Sequence, residues 1–196
     1  MTAAEQLKEY VSKFVKLDEE EFLHFAQQFH EKKIKKKQFL VQPDFHTRYR
    51  YFVISGTLRS YFVDADGEEL TTQFAIENWW ISDFNAYLYQ QPATLFIVAL
   101  EDSLLLELSF EKEQELKAHN HKYETLFRIM AERGLAFEHR RLLWNRALSA
   151  EERYNKFTED FPYFIFRVPQ YMLASYLGMT PVFLSNIRNK KLGKKA

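Results

Sequence analysis

Leu7, Val11, Phe14, Val15, Phe22, Phe25, Ala26 and Phe29 recur at three- and four-residue spacings, the period that keeps side chains on one face of an α-helix. The pattern predicts helix over residues 2–30, restarted at Asp18. That aspartate can cap a second helix, and Glu19, Glu20 and Glu21 are favoured at its positive N-terminal end. After Lys37 the pattern changes. Tyr51 to Val63 is dense in β-branched and aromatic residues, Asp64-Ala65-Asp66-Gly67-Glu68 reads as a turn, and Glu69 to Ile76 reads as the returning strand. Gly67 supplies positive φ in that turn. Gly56, inside the strand run, marks a tight bend or a close backbone approach. Leu95 to Leu100 and Leu104 to Ser109 are two more short strands around the turn Glu101-Asp102-Ser103. Short strands at regular spacing predict a small antiparallel β-roll of the jelly-roll kind.

Helical spacing returns near Phe110. From Lys122 to Leu148 a seam recurs at Tyr123, Phe127, Met130, Gly134, Phe137, Arg141, Trp144 and Leu148, alternating steps of four and three. A neighbouring stripe runs Leu126, Ile129, Ala136, Leu143 and Ala147. One stripe can pack on the chain's own roll and the other on a second copy of the same helix. The seam therefore predicts a homodimer, with Gly134 allowing close approach and Arg141 needing a partner. The alternative is one amphipathic helix packed inside a monomer. Ser149 and Glu152 fit a capping box for the next helix, which Phe161-Pro162 stops.

The segment from Val168 to Lys190 has the grammar of a helix-turn-helix. Leu173, Ala174 and Leu177 are the apolar contacts of a short helix, and Gly178 sits where the chain turns. Thr180 is placed to cap the second helix, with Pro181 at its first position. Leu184 and Ile187 face inward, while Val182, Ser185, Asn186 and Asn189 fall on the opposite face. The second helix of such a pair lies in the major groove of double-stranded DNA. Asn186 can bond adenine through two contacts, and Ser185 or Asn189 can reach base edges or phosphates. Thr180 with the helix N–H groups can bond a phosphate. Gln170, Val182, Arg188, Lys190 and Lys191 complete the DNA-binding set. The bland alternative is a capped αα-hairpin.

Charge supports the first reading. The chain has 27 basic and 27 acidic residues, yet from Pro162 onward six are basic and none acidic. The 21 basic residues before Pro162 face all 27 acids, a formal charge of −6 on that part. A basic block on an acidic body suits a polyanion partner at that end, although a solvated lysine tail would read the same alone. The expected architecture is α+β. Residues 1–116 form N-terminal helices and an antiparallel β-roll sensor domain, 117–148 a long dimerisation helix, and 149–196 an all-α helix-turn-helix domain.

Composition excludes much else. With no cysteine, disulfides, thiol catalysis, iron–sulfur clusters and Cys-ligated zinc are out. No apolar run approaches the ~20 residues that span a bilayer. Charges throughout Met1 to Leu17 leave no secretory core, so a cytoplasmic protein without membrane contact is expected. The rival class is a metal-dependent barrel enzyme. Of His24, His30, His46, His119, His121 and His139 only His46 lies near a strand, and no ligand set has workable spacing. No metal, cofactor or catalytic residue is assigned.

The order of parts resembles the Crp/Fnr family of bacterial transcription regulators over nearly the whole chain. The residues that carry the likeness are Tyr51 to Arg59, the hairpin Asp66-Gly67-Glu68-Glu69, the turn Leu100-Glu101-Asp102-Ser103, and Leu173 to Pro181. The resemblance implies a cyclic-nucleotide-binding-like roll, a homodimer and a near-palindromic operator. Cyclic-AMP-binding members carry a Gly-Glu pair followed by an Arg-Ser pair; here Ser82 and Asp83, then Ala93 and Thr94, stand in those places. Without that arginine nothing opposes a phosphate charge and Asp83 repels it, so control by cyclic AMP is not expected. Oxygen-sensing members need cysteines, which are absent. An unidentified small-molecule effector would instead meet Trp80, Ser82, Asp83, Phe84, Ala93 and Thr94 in an aromatic stretch with Trp79, Tyr87, Tyr89 and Phe96. The adopted reading is that these rings fill the roll. Members often carry charged residues where Val182 and Asn186 stand. With the chain ending at Ala196, the β-wing is expected to be missing, its backbone contacts supplied in part by the lysine tail. A sensor or scaffold that has lost DNA binding is the alternative function.

Overall fold

Thr2 and Asp18 start helices by one device. Each side chain accepts the N–H of a glutamate three residues on, Glu5 or Glu21, whose carboxylate accepts the cap's own N–H in return. The helices are α1 (Ala3–Ser12) and α2 (Glu19–Ala26). The computed structural model describes residues 1–193, without the side chains of Lys191 and Leu192.

Eight strands follow among the described residues: β1 (His30–Ile34), β2 (Phe39–Val41), β3 (Tyr49–Ser55), β4 (Leu58–Val63), β5 (Glu69–Ala75), β6 (Trp80–Ile81), β7 (Phe96–Ala99) and β8 (Ser103–Ser109). Helix α3 (Phe84–Tyr89) lies between β6 and β7. The strands make two four-stranded sheets, β1-β8-β3-β6 and β2-β7-β4-β5. The sequence run Tyr51 to Val63 is thus divided between the sheets, and Gly56 marks the crossing. Its φ is +105°, and a Cβ there would overlap the Ser103 side chain and come within 2.8 Å of Ser103 Cα. Only glycine fits that corner.

Strand β3 explains the unbroken apolar run. Tyr51 and Val53 face a core between the sheets with Leu58, Ile81, Ile97, Ala99 and Leu105. Phe52 and Ile54 face a second core with Leu7, Val11, Phe22, Phe25, Leu116, Tyr123 and Phe127. Both faces are covered, so polar residues have no place in its middle. Two helices supply the far side of that second core, α4 (Phe110–His119), capped by Ser109, and α5 (His121–Ala147).

The C-terminal part is helical: α6 (Ala150–Asp160) with a Ser149/Glu152 capping box, α7 (Phe164–Arg167), α8 (Gln170–Tyr176) and α9 (Pro181–Gly193). The chain forms two compact units, Met1–Phe62 with Gln73–Arg133, and Val63–Thr72 with Gly134–Ala196. Their division falls inside α5 and assigns the β4–β5 turn to the second unit, a different partition from the three segments expected from sequence.

Within the second unit, Phe157 of α6 meets Phe161, Phe164 and Tyr176 at centroid distances of 5.4–5.7 Å. Ser175 on α8 treats the β5 edge as another strand would, accepting the Thr71 N–H at 2.9 Å and donating to the Glu69 carbonyl at 2.7 Å. Arg141 on α5 donates to the Thr72 carbonyl at 2.8 Å.

Candidate effector cassette and nucleic-acid interface

Asp83 caps α3 and is only 1% exposed. One oxygen accepts the Ala86 N–H at 3.1 Å. The other accepts the Thr94 N–H at 2.7 Å, the Leu95 N–H at 3.0 Å and the Thr94 hydroxyl at 3.2 Å. Four donors of the kind that bind anions are thus filled by a carboxylate of the chain itself. Ala93 turns its methyl into the core between the sheets. Asp83, Ala93 and Thr94 are therefore brought together, as a closed fastening rather than an open anion site.

The aromatic stretch diverges. Trp80 packs with Phe52, Phe29 and Tyr10 on the helical side. Phe96 stacks on Tyr61 at 5.1 Å. Phe84 and Tyr89 are exposed, and Ser82 is half-buried. Tyr87 is buried and donates to Glu113 Oε2 at 2.8 Å. These rings do not share one enclosure.

Sequence reasoning missed what Tyr87 joins. Glu113 of α4 is buried, with Arg50 Nη1 at 2.9 Å and Lys117 Nζ at 2.6 Å. Burial pushes its carboxyl up, but the charges of Arg50 and Lys117 and their hydrogen bonds hold it below its ordinary range. Burial and then the Glu113 charge push the Tyr87 phenol well above its ordinary value. The i, i+4 spacing of Glu113 and Lys117 was the available signal; Arg50, on a strand 63 residues away, gave none. A half-open cleft of about 200 Å³ lies elsewhere, lined by Phe39 to Gln42, Phe45 to Thr47, Tyr49 and Tyr51, and includes none of the expected effector residues.

The second site is α8–α9. Gly178 has φ +64° and Thr180 Oγ1 accepts the Phe183 N–H at 3.2 Å, the turn and cap the sequence predicts. Leu173, Ala174, Leu177, Leu184 and Ile187 are buried. On the opposite face of α9, Val182, Asn186 and Asn189 are exposed and Ser185 is half-buried. Arg153 fixes the turn by donating to the carbonyls of Leu177 at 3.0 Å, Leu148 at 2.8 Å and Gly178 at 3.3 Å. Arg188 donates to Gln170 Oε1 at 3.4 Å, and Lys190 lies 3.6 Å from Glu151. The Lys191 side chain, Lys194 and Lys195 lie outside the described residues.

Two residues of the α5 seam, Tyr123 and Phe127, are not available as a surface for a second copy. Tyr123 and Phe127 are buried in the first unit's helical core, and Met130 packs against it. Phe137 meets Phe161 edge-on at 6.3 Å. Arg141 pairs with Glu138 at 2.8 Å, and Trp144 lies beneath Arg140 and Lys156. Tyr123 and Phe127 thus serve the chain's own packing, and the rest of the seam is half-buried or, at Gly134, exposed. Leu135, Leu142 and Leu143 are the large apolar residues α5 exposes, and Gly134 is open around its Cα.

Residues 31–120 match the family model of the cyclic nucleotide-binding domain. Within the matched domain lie both sheets, Asp83 and the Glu113 cluster. No curated protein sequence matches the chain. Among solved structures it is similar to the c-di-GMP responsive global regulator CLP of Xanthomonas campestris, with 15% identity, TM-score 0.72, and 91% of this chain and 93% of that one covered. It is also similar to FixK2 of Bradyrhizobium japonicum, with 18% identity, TM-score 0.73 and coverage of 85% and 86%. A third likeness is the catabolite activator protein of Thermus thermophilus, with 19% identity, TM-score 0.57 and coverage of 91% and 85%. These likenesses establish the fold: α+β, a cyclic nucleotide-binding β-roll with C-terminal helices.

Proposed function

We propose that the chain is a DNA-binding transcriptional regulator of the Crp/Fnr type, a cytoplasmic homodimer that reads a near-palindromic operator and is not controlled by cyclic AMP. The observation that carries this reading is the free face of α9. Val182, Ser185, Asn186 and Asn189 point away from the Leu184–Ile187 core, and the turn before them is held by Gly178, Thr180 and Arg153. A helix held this way and left uncovered has the form of a major-groove reader. Thr180, Gln170, Arg188 and Lys190 surround it as backbone-contacting groups. The pairs Arg188–Gln170 and Lys190–Glu151 are partly exposed, so giving them up for phosphates costs little.

Leu135, Leu142 and Leu143 supply the apolar surface for a second copy, which would present two α9 helices to grooves about 34 Å apart. The cassette closed by Asp83 argues against cyclic nucleotide as the signal, since a phosphate would have to displace a buried carboxylate from four donors.

Fluorescence anisotropy with labelled duplexes from the neighbouring intergenic region tests the proposal. Affinity should fall by about 0.9 log unit per phosphate contact for each tenfold rise in salt. A folded chain that retains no duplex at low salt is a sensor or scaffold instead.

A further inference from the structure

We propose that α9 selects adenine–thymine pairs, Val182 packing on the 5-methyl group of a thymine and Asn186 bonding the N6–N7 edge of an adenine. This rests on α9 being a DNA-reading helix and assigns what it reads.

Val182 is 72% exposed although β-branched and apolar. It has nothing to hydrogen-bond with, so it can discriminate only by apolar contact. In the major groove the thymine methyl is the apolar feature of a base-pair edge. Phe183, also exposed, widens the apolar end of the helix. Asn186 lies four residues on, on the same face. Its amide offers one donor and one acceptor side by side, the pattern complementary to adenine. Four residues of helix rise about 6 Å, close to two base-pair steps of 3.4 Å, so the two side chains meet pairs about two steps apart in one half-site.

Guanine calls for a bidentate cation, and the outward stripe lacks one. Val182, Ser185, Asn186 and Asn189 are all uncharged. Arg188 is half-buried, turned toward Gln170, and Lys190 lies toward Glu151. Arg188 and Lys190 thus flank the reading face and suit phosphates rather than base edges.

The test uses the full chain. Duplexes are selected from a random library, and each half-site thymine of the best duplex is then replaced singly by deoxyuridine, which lacks only the methyl. The expected result is one thymine per half-site whose replacement weakens binding about fourfold, the worth of one buried methyl-sized group. Val182→Ala removes the contact from both half-sites, so it should bind about sixteenfold more weakly, about fourfold per half-site, and lose sensitivity to that replacement. Asn186→Ala should lose about tenfold in preference for adenine at one pair about two steps from that thymine. Both side chains are exposed, so the variants should keep the wild-type circular dichroism. Tight binding that ignores every thymine-to-deoxyuridine change, or a selected half-site read through G·C pairs, overturns the inference while leaving DNA binding intact. Retention of no duplex at all overturns the DNA-reading role of α9, and this inference with it.

Discussion

The Asp83 carboxylate accepts the Thr94 backbone N–H at 2.7 Å. With three further donors on the same carboxylate, it joins the start of α3 to the segment entering β7. Asp83→Ala removes a helix cap and leaves the buried Ala86 N–H and the partly buried Thr94 and Leu95 N–H groups without this partner. The unfolding free energy should fall by about 2–4 kcal/mol, read from urea denaturation. Calorimetric titration of the wild-type protein with cyclic AMP should give no binding heat.

Glu113 should make the first unit acid-sensitive. In the unfolded chain it titrates in the ordinary carboxylate range; folded, Arg50 and Lys117 hold it lower against the effect of burial. The unfolded state therefore binds more protons there. The stabilisation is present above that range and is lost as pH falls through the folded value. Glu113→Gln should flatten this part of the stability–pH curve. It should also cost about 3–5 kcal/mol at neutral pH, because Arg50 stays buried without its counter-charge.

Gly56→Ala should destabilise by about 3 kcal/mol or more, through its positive φ and the overlap with Ser103. Adding Ser103→Ala should restore little, since Ser103 Cβ and Cα remain in the way. Thermal melts of the single and double variants measure both effects.

Sedimentation velocity distinguishes the two faces of α5. Leu142→Glu, on the exposed side, should keep the fold and weaken self-association by about thirtyfold, the worth of one central apolar contact. Phe127→Glu puts a charge in the helical core and should unfold the chain rather than release monomers.

Arg153→Lys cannot reach three carbonyls as the guanidinium fork does. About 2 kcal/mol of stability should be lost. Duplex affinity should fall as well, although Arg153 lies on α6 and not on the α9 face proposed to read DNA.

Local rules left clear marks in this sequence. Asp18 with Glu21, Gly56, Gly67, and the Gly178-Met179-Thr180-Pro181 turn each force one backbone event, and each occurs where the pattern places it. The strands on either side of Glu101-Asp102 followed from the same punctuation. The face of α5 did not. A heptad seam shows that a stripe is buried, not whether its own chain or another copy buries it, and Tyr123 and Phe127 proved to serve their own core. The Arg50–Glu113–Tyr87 cluster was equally hidden, because its members come from a strand and two helices distant in sequence. Asp83 was visible as a departure from a phosphate cassette, but its four donors emerge only when Thr94 and Leu95 fold back onto it.

That fold-back gives the roll a buckle fastened by its own strap. Its four donors, the N–H groups of Ala86, Thr94 and Leu95 and the Thr94 hydroxyl, are all engaged by one side chain of the same polypeptide. Opening that clasp would cost a ligand four hydrogen bonds before it made one of its own.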